Sequence, residues 1–259
     1  DDWSMVVDLT ENLDSPVSYY ACKDIERIEN AVNKYIRSTF MLHAVQQYKR
    51  CNIDEALRVL KEENNNSDAY YRVKLEVIEN TLPGKDEKEF DKLDFAEMLS
   101  LFPEEDYFNK LIHIYEKSIV ANRVYKYFPA FIDCVSMKNS PSMLLADSRS
   151  RRHPRRGVLG SKLLETLVQL LVLRQKEDGS YETHSLSIED LASEISNRYG
   201  LIINGVHEKR FADADVEMNA AFKVNMDAFK NKLRQIGFYT DMSDACILQK
   251  IRPRYKLDE

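Results

Sequence analysis

Five arginines fall within eight residues: Arg149, Arg151, Arg152, Arg155 and Arg156, with only Ser, His and Pro between them. Packing does not require such a run. A guanidinium is always charged and can donate two parallel hydrogen bonds to one phosphate. The run is therefore expected to act as a basic arm on a nucleic-acid backbone or in a minor groove. A second set has helical spacing. Lys223, Lys230 and Arg234 fall opposite Met226, Phe229 and Leu233, with Asn231 and Lys232 beside them. Such a helix fits a major groove, where Lys and Arg neutralise phosphates and Arg or Asn reads base edges. A third set is Lys250, Arg252, Arg254 and Lys256, kept extended by Pro253. The plain alternatives are an exposed linker, the solvated face of an amphipathic helix, and a solubilising tail. Backbone neutralisation is the preferred reading of the arginine run.

Catalytic patterns are sparse. No Gly-rich loop carries a Walker lysine and no dinucleotide-binding glycine pattern occurs, so no cofactor is expected. Cys22, Cys51, Cys134 and Cys246 are singly placed, and the five histidines are scattered. Neither set has zinc-ligand spacing, and the cysteines read as reduced thiols. The segment Arg37-Ser38-Thr39-Phe40-Met41-Leu42-His43 resembles the active-site motif of HEPN-type ribonucleases. That resemblance implies a dimeric site in which Arg37 and His43 handle phosphate charge and protons. A packed histidine is the preferred alternative. Asp86, Glu87, Glu89, Asp91 and Asp94 read as a solvated charged loop in preference to a metal-dependent nuclease site.

The 259 residues carry a formal charge of −6, unevenly spread. Residues 1–146 hold 18 Lys and Arg against 26 Asp and Glu, whereas residues 147–259 hold 19 against 17. An acidic front joined to a basic back is the asymmetry expected of a nucleic-acid partner. No apolar run reaches the roughly 20 residues that span a bilayer, so no membrane contact and a cytoplasmic location are expected. The opening Asp1-Asp2-Trp3 lacks an initiator Met, as in a fragment of a longer protein.

The elements that must position these residues are mainly helical, since Gly and Pro number only seven each. Met5 to Leu9 reads as a short strand, the last piece of an upstream domain. From Asp24 the period is helical, with Ile25, Ile28, Val32, Tyr35 and Ile36 on one face. Tyr48 to Leu57 resembles the inter-helix turn of tetratricopeptide-type hairpins, with Cys51 where that family has Gly. Helices are expected through Tyr71, Leu75 and Ile78, from Phe95 to Phe102, and from Tyr107 to Val135. The last of these would bury Leu111, Ile112, Tyr115, Ile119, Val124 and Tyr127. The aromatic positions (Tyr35, Phe40, Tyr48, Tyr70, Tyr71, Phe108, Tyr125, Phe128) read as core.

After residue 157 the order of elements carries the argument. An apolar helix spans Val158 to Arg174, with Leu159, Leu163, Leu164, Leu167, Leu170 and Leu171 buried. Asp178-Gly179-Ser180 makes a turn and Tyr181 to Leu186 a strand. A helix starts at Ser187, buries Ile188, Leu191, Ala192, Ile195 and Tyr199, and stops at Gly200. Another ends at Gly237 and shows most clearly from Asn225. Two extended runs, 238–240 and 245–251, follow around a turn. This order resembles the winged helix-turn-helix superfamily, departing from it in the twenty-odd residues, Leu201 to Ala221, between its second and third helices. The expected fold is mainly α. An acidic helical domain (1–137) and a basic linker (138–157) precede a winged-helix-like domain with a small β-wing (158–259). The expected function is duplex DNA binding, as a regulator or as a subunit of a bacterial DNA-processing or defence complex. The helical domain would hold a protein partner or a second copy. A docking module without DNA contact, and the ribonuclease above, are the alternatives.

Overall fold

The computed structural model describes residues 3–62, 68–81, 99–117, 126–147, 155–239 and 251. It is mainly α, with eight α-helices and short strands among the described residues. They fall into two compact units, one drawn from 1–29 and 132–259, the other from 30–131. The expected division after residue 137 therefore differs from the observed one. The first 29 residues belong with the C-terminal half.

The first unit opens with β1 (Met5–Val6), which pairs in parallel with β6 (Leu201–Ile202). This corrects the reading of Met5 to Leu9 as the end of an upstream domain. The segment is almost wholly buried, with Val6 and Val7 at 0% exposure. Parallel strands this short gain little from their ladder alone. Buried side chains complete it. Asn225, itself 0% exposed, accepts from Leu9 N–H at 2.8 Å and donates to the carbonyls of Val7 (3.0 Å) and Ile203 (2.8 Å). Asp24 accepts from Val6 N–H at 2.7 Å.

Helix α1 (Pro16–Lys49) runs through the division at residue 29. The Ser15 hydroxyl accepts from Val17 N–H, and Pro16 supplies a preset φ for the first turn. In the second unit, α1 continues to Lys49 and turns at Arg50, whose φ is 52°. Helices α2 (Ile53–Glu62), α3 (Ala69–Thr81) and α4 (Tyr107–Tyr115) follow. The Tyr48-to-Leu57 hairpin is present, and Ala56 is buried against Val45, Tyr71 and Leu111. Tyr48 stacks on Tyr70 with ring centroids 4.5 Å apart. Tyr35 and Tyr127 are exposed at 73% and 61%, so neither is core as expected. Ile119, Val124 and Tyr125 lie outside the described residues.

Helix α5 (Lys126–Val135) leads back to the first unit. The expected linker contains an antiparallel pair, β2 (Leu145–Asp147) with β3 (Arg155–Gly157). Helix α6 (Ser161–Leu171) is shorter than expected because the chain at Leu173 turns extended. There β4 (Leu173–Gln175) and β5 (Tyr181–Thr183) form a hairpin across the Asp178-Gly179-Ser180 turn. Leu164, Leu167 and Leu171 are buried, whereas Leu170 is exposed at 48%. Helix α7 (Ile188–Tyr199) is capped as read. Ser187 accepts from Asp190 N–H, and Gly200 ends it at φ 69°. Tyr199 lies outside its buried stripe.

The segment between α7 and the last helix is neither an extra hairpin nor a loose loop. It holds β6, a 3₁₀ turn (Lys209–Phe211) and the first turns of α8 (Val216–Gln235). Gly205 is needed there, since a Cβ would approach the Phe222 ring to 2.2 Å. Helix α8 begins nine residues before Asn225, from where the sequence pattern shows it most clearly. Asp215 caps it by accepting from Met218 N–H at 2.8 Å. Val216, 86% exposed, breaks the apolar pattern that would have announced it. Beyond Tyr239, only Ile251 is described, and its N–H donates to Leu186 at 2.8 Å.

Replacing Asn225 by Ala would strand one buried N–H and two carbonyls. The expected loss is about 3 kcal/mol in urea unfolding, with hydrogen-exchange protection lost at the Leu9 amide. A loss under about 1 kcal/mol would refute the clasp.

Candidate functional site

Helix α8 presents the clearest chemistry. Its inner stripe, Met218, Phe222, Met226, Phe229 and Leu233, is buried in the first unit. That burial fixes what faces outward. Lys223, Asn231 and Arg234 are exposed and Lys230 is half-buried, the arrangement expected from their spacing. Asp227 shares this face, leaving a surplus of positive charge. Lys230 approaches Glu189 of α7 at 3.9 Å, a surface pair of small energetic weight. Arg234 donates to Asn231 at 2.9 Å and lies 5.7 Å from the Tyr239 ring centroid. Lys232 turns toward Glu11, 4.0 Å away. Arg234 and Lys232 also occupy the last turn, where cations complement the helix dipole.

The described members of the arginine run behave differently. Arg155 reaches Glu29 through Nη1 at 2.8 Å and Asp133 through Nε at 2.7 Å. Arg156 is 8% exposed. Its Nε meets Asp8 Oδ2 at 3.2 Å, and its Nη1 donates to the Asp147 carbonyl at 3.1 Å. Lys138 bridges Asp133 at 2.6 Å and Asp147 at 3.3 Å, and the hydrogen bond it donates to Asp133 holds its pKa above the ordinary 10.5. Nearby in sequence to none of these, Arg210 meets Asp24 at 2.5 Å, and Arg27 shares that carboxylate. Arg155 and Arg156 thus spend their charge on carboxylates of their own unit. Arg149, Arg151, Arg152, Lys250, Arg252, Arg254 and Lys256 lie outside the described residues.

Arg37 and His43 do not share a face. Six residues of helix set them roughly 120° apart around α1. Arg37 is paired with Glu116 at 2.5 Å and Asn109 at 3.4 Å, while His43 Nε2 contacts Gln47 Nε2 at 2.9 Å. The 86–94 carboxylates lie outside the described residues.

Asp8, Asp24 and Asn225 went unremarked in the sequence. Apart from Thr10 beside Asp8 and Arg27 beside Asp24, their partners stand 18 to 218 positions away, so no local signal marks the clasp.

The class these features define is a mainly helical protein of two units, one exposing a cationic helix face. No helix among the described residues is long and apolar enough to cross a membrane. Over residues 1–255 the chain matches the family of methylation-associated defense system protein MAD7, and it belongs to that family. No curated protein and no solved structure matches it.

Arg156→Ala would leave Asp8, whose side chain is 0% exposed, as a buried unpaired charge. The expected destabilisation is about 3–5 kcal/mol by urea unfolding. Arg155→Ala, whose partners are more exposed, is expected to cost about 1 kcal/mol. Equal effects would contradict the assigned burial.

Proposed function

We propose that this chain is a DNA-contacting subunit of a methylation-associated defence assembly. The carrying observation is the outer face of α8, where Lys223, Lys230, Asn231 and Arg234 project from a helix anchored by Met226, Phe229 and Leu233. A helix of this kind fits a major groove, its ammonium and guanidinium groups meeting phosphates and its amide reading a base edge. The order α6, hairpin, α7, α8 supports a winged-helix reading. Arg149, Arg151, Arg152, Lys250, Arg252 and Arg254 would extend the contact along the backbone. Arg155 and Arg156 would brace that arm by their ion pairs and leave phosphate contact to the other arginines.

A second reading, a docking subunit for a protein partner or second copy, is favoured by exposed apolar pairs in the other unit. Ile53 and Leu57 on α2, and Val73 and Val77 on α3, are all solvent-facing at one-turn spacing.

Gel-shift titration of a short duplex tests the first reading. The Lys223→Ala, Lys230→Ala, Arg234→Ala triple variant is expected to lose about tenfold or more in affinity, and each lost phosphate contact should flatten the salt dependence by about 0.9 in log–log slope. Unchanged affinity and slope would remove DNA from the account.

A further inference from the structure

We propose that the second unit binds a nucleotide-sized planar anion in a cleft between α1, α3 and α4. The cleft encloses about 260 Å³. That is just below the usual range for ligand pockets, about 300–1,000 Å³, with room for one ring system and one charged group. Each helix contributes residues one turn apart: Phe40, His43, Ala44 and Gln47 from α1, Tyr70 and Lys74 from α3, Leu111 and Tyr115 from α4. Ala44 and Leu111 are buried and form the floor. Phe40, Tyr70 and Tyr115 make aromatic walls.

The polar complement points to an anion. Among the described residues, no carboxylate lines the cleft. Lys74 is half-buried, its Nζ lies 5.6 Å from the Tyr70 ring centroid, and it forms no ion pair among the described residues. Its neighbours on α3 differ, since Arg72 is paired with Glu76 at 3.1 Å. An ammonium over an aromatic wall with no counter-charge is a cation awaiting one. Burial, with a smaller contribution from Tyr70, pushes the Tyr115 phenol above its ordinary 10.0, so it remains a hydrogen-bond donor. His43 and Gln47 stand together at the rim, their side-chain nitrogens 2.9 Å apart. A planar base stacks on Phe40 or Tyr115, since Tyr48 already stacks on Tyr70; Lys74 takes the phosphate, and the rim supplies hydrogen bonds to the base edge. His43 then serves binding.

Two sources share this chemistry, a free mononucleotide and one nucleotide of a single strand. Equilibrium dialysis of the full chain with adenosine 5′-monophosphate, adenosine, inorganic phosphate and a short oligodeoxyadenylate separates them. We expect saturable binding of the monophosphate at one per chain, weaker binding of adenosine and of phosphate alone, and a loss of about tenfold or more in Lys74→Met. Lys74→Arg is expected to retain binding, and circular dichroism of both variants to match the parent. A Lys74-dependent signal with the oligonucleotide but not the monophosphate assigns the site to a strand. Absence of both signals, or binding indifferent to Lys74→Met, overturns the proposal. The α8 triple variant is expected to leave monophosphate binding unchanged, so this site and the duplex-binding reading stand or fall separately.

Discussion

A single buried amide holds the first unit together. Asn225 uses both ends of its side chain to join the backbone after β1 to the backbone after β6, and it does so from the middle of α8. In a medium without water, each of those peptide groups would otherwise be left without a partner. The remaining groups of the segment are met by Asp24, by Gly157 and by the β6 strand. Hydrophobic burial of Val6 and Val7 supplies the driving force, and the polar groups decide where the segment lies. Helix α8 is therefore fixed from both sides, by its apolar stripe below and by the clasp at its centre.

The charge pattern takes its meaning from this arrangement. An excess of acid in the front of the chain suggested a partner for basic residues behind it. Part of that complementarity is satisfied internally. Asp8, Asp24 and Glu29 from the front of the chain meet Arg156, Arg210 and Arg155 from the back. The cations on the outer face of α8 make more exposed contacts, Lys230 with Glu189 and Arg234 with Asn231. Sequence charge alone does not separate the two groups, because an arginine that braces a strand and one that meets a phosphate are identical in one dimension.

Local signals were read correctly where local physics decides the outcome. Ser187 and Gly200 bound α7 because a cap hydroxyl and a left-handed glycine act within one turn. The hairpin turn follows from Gly179 at φ 83° and from Asp178 accepting from Ser180. The stripe through Met226, Phe229 and Leu233 gave the orientation of α8. Pairings decided by distant partners were not legible. Strand β1 lies within the run read as a strand, but β6 is only two residues, too short for a period, and nothing local marks the pairing of the two. The start of α8 was hidden by Val216, although Asp215 and Glu217 are ordinary first-turn residues. The cleft around Lys74 draws on three separated helices, each of which alone reads as core.

The clasp also orders events during synthesis. Residues 30–131 are continuous, and that unit can form as soon as they have left the ribosome. The other unit cannot close until Asn225 emerges, 216 positions after the Leu9 amide that it accepts from. Closing so long a loop is slow, though its entropic cost grows only logarithmically with length. Until then, the segment Met5 to Leu9 lacks the partner that Asn225 supplies. The nascent chain thus carries an exposed edge that a chaperone could shield, and one that premature termination would leave permanently open.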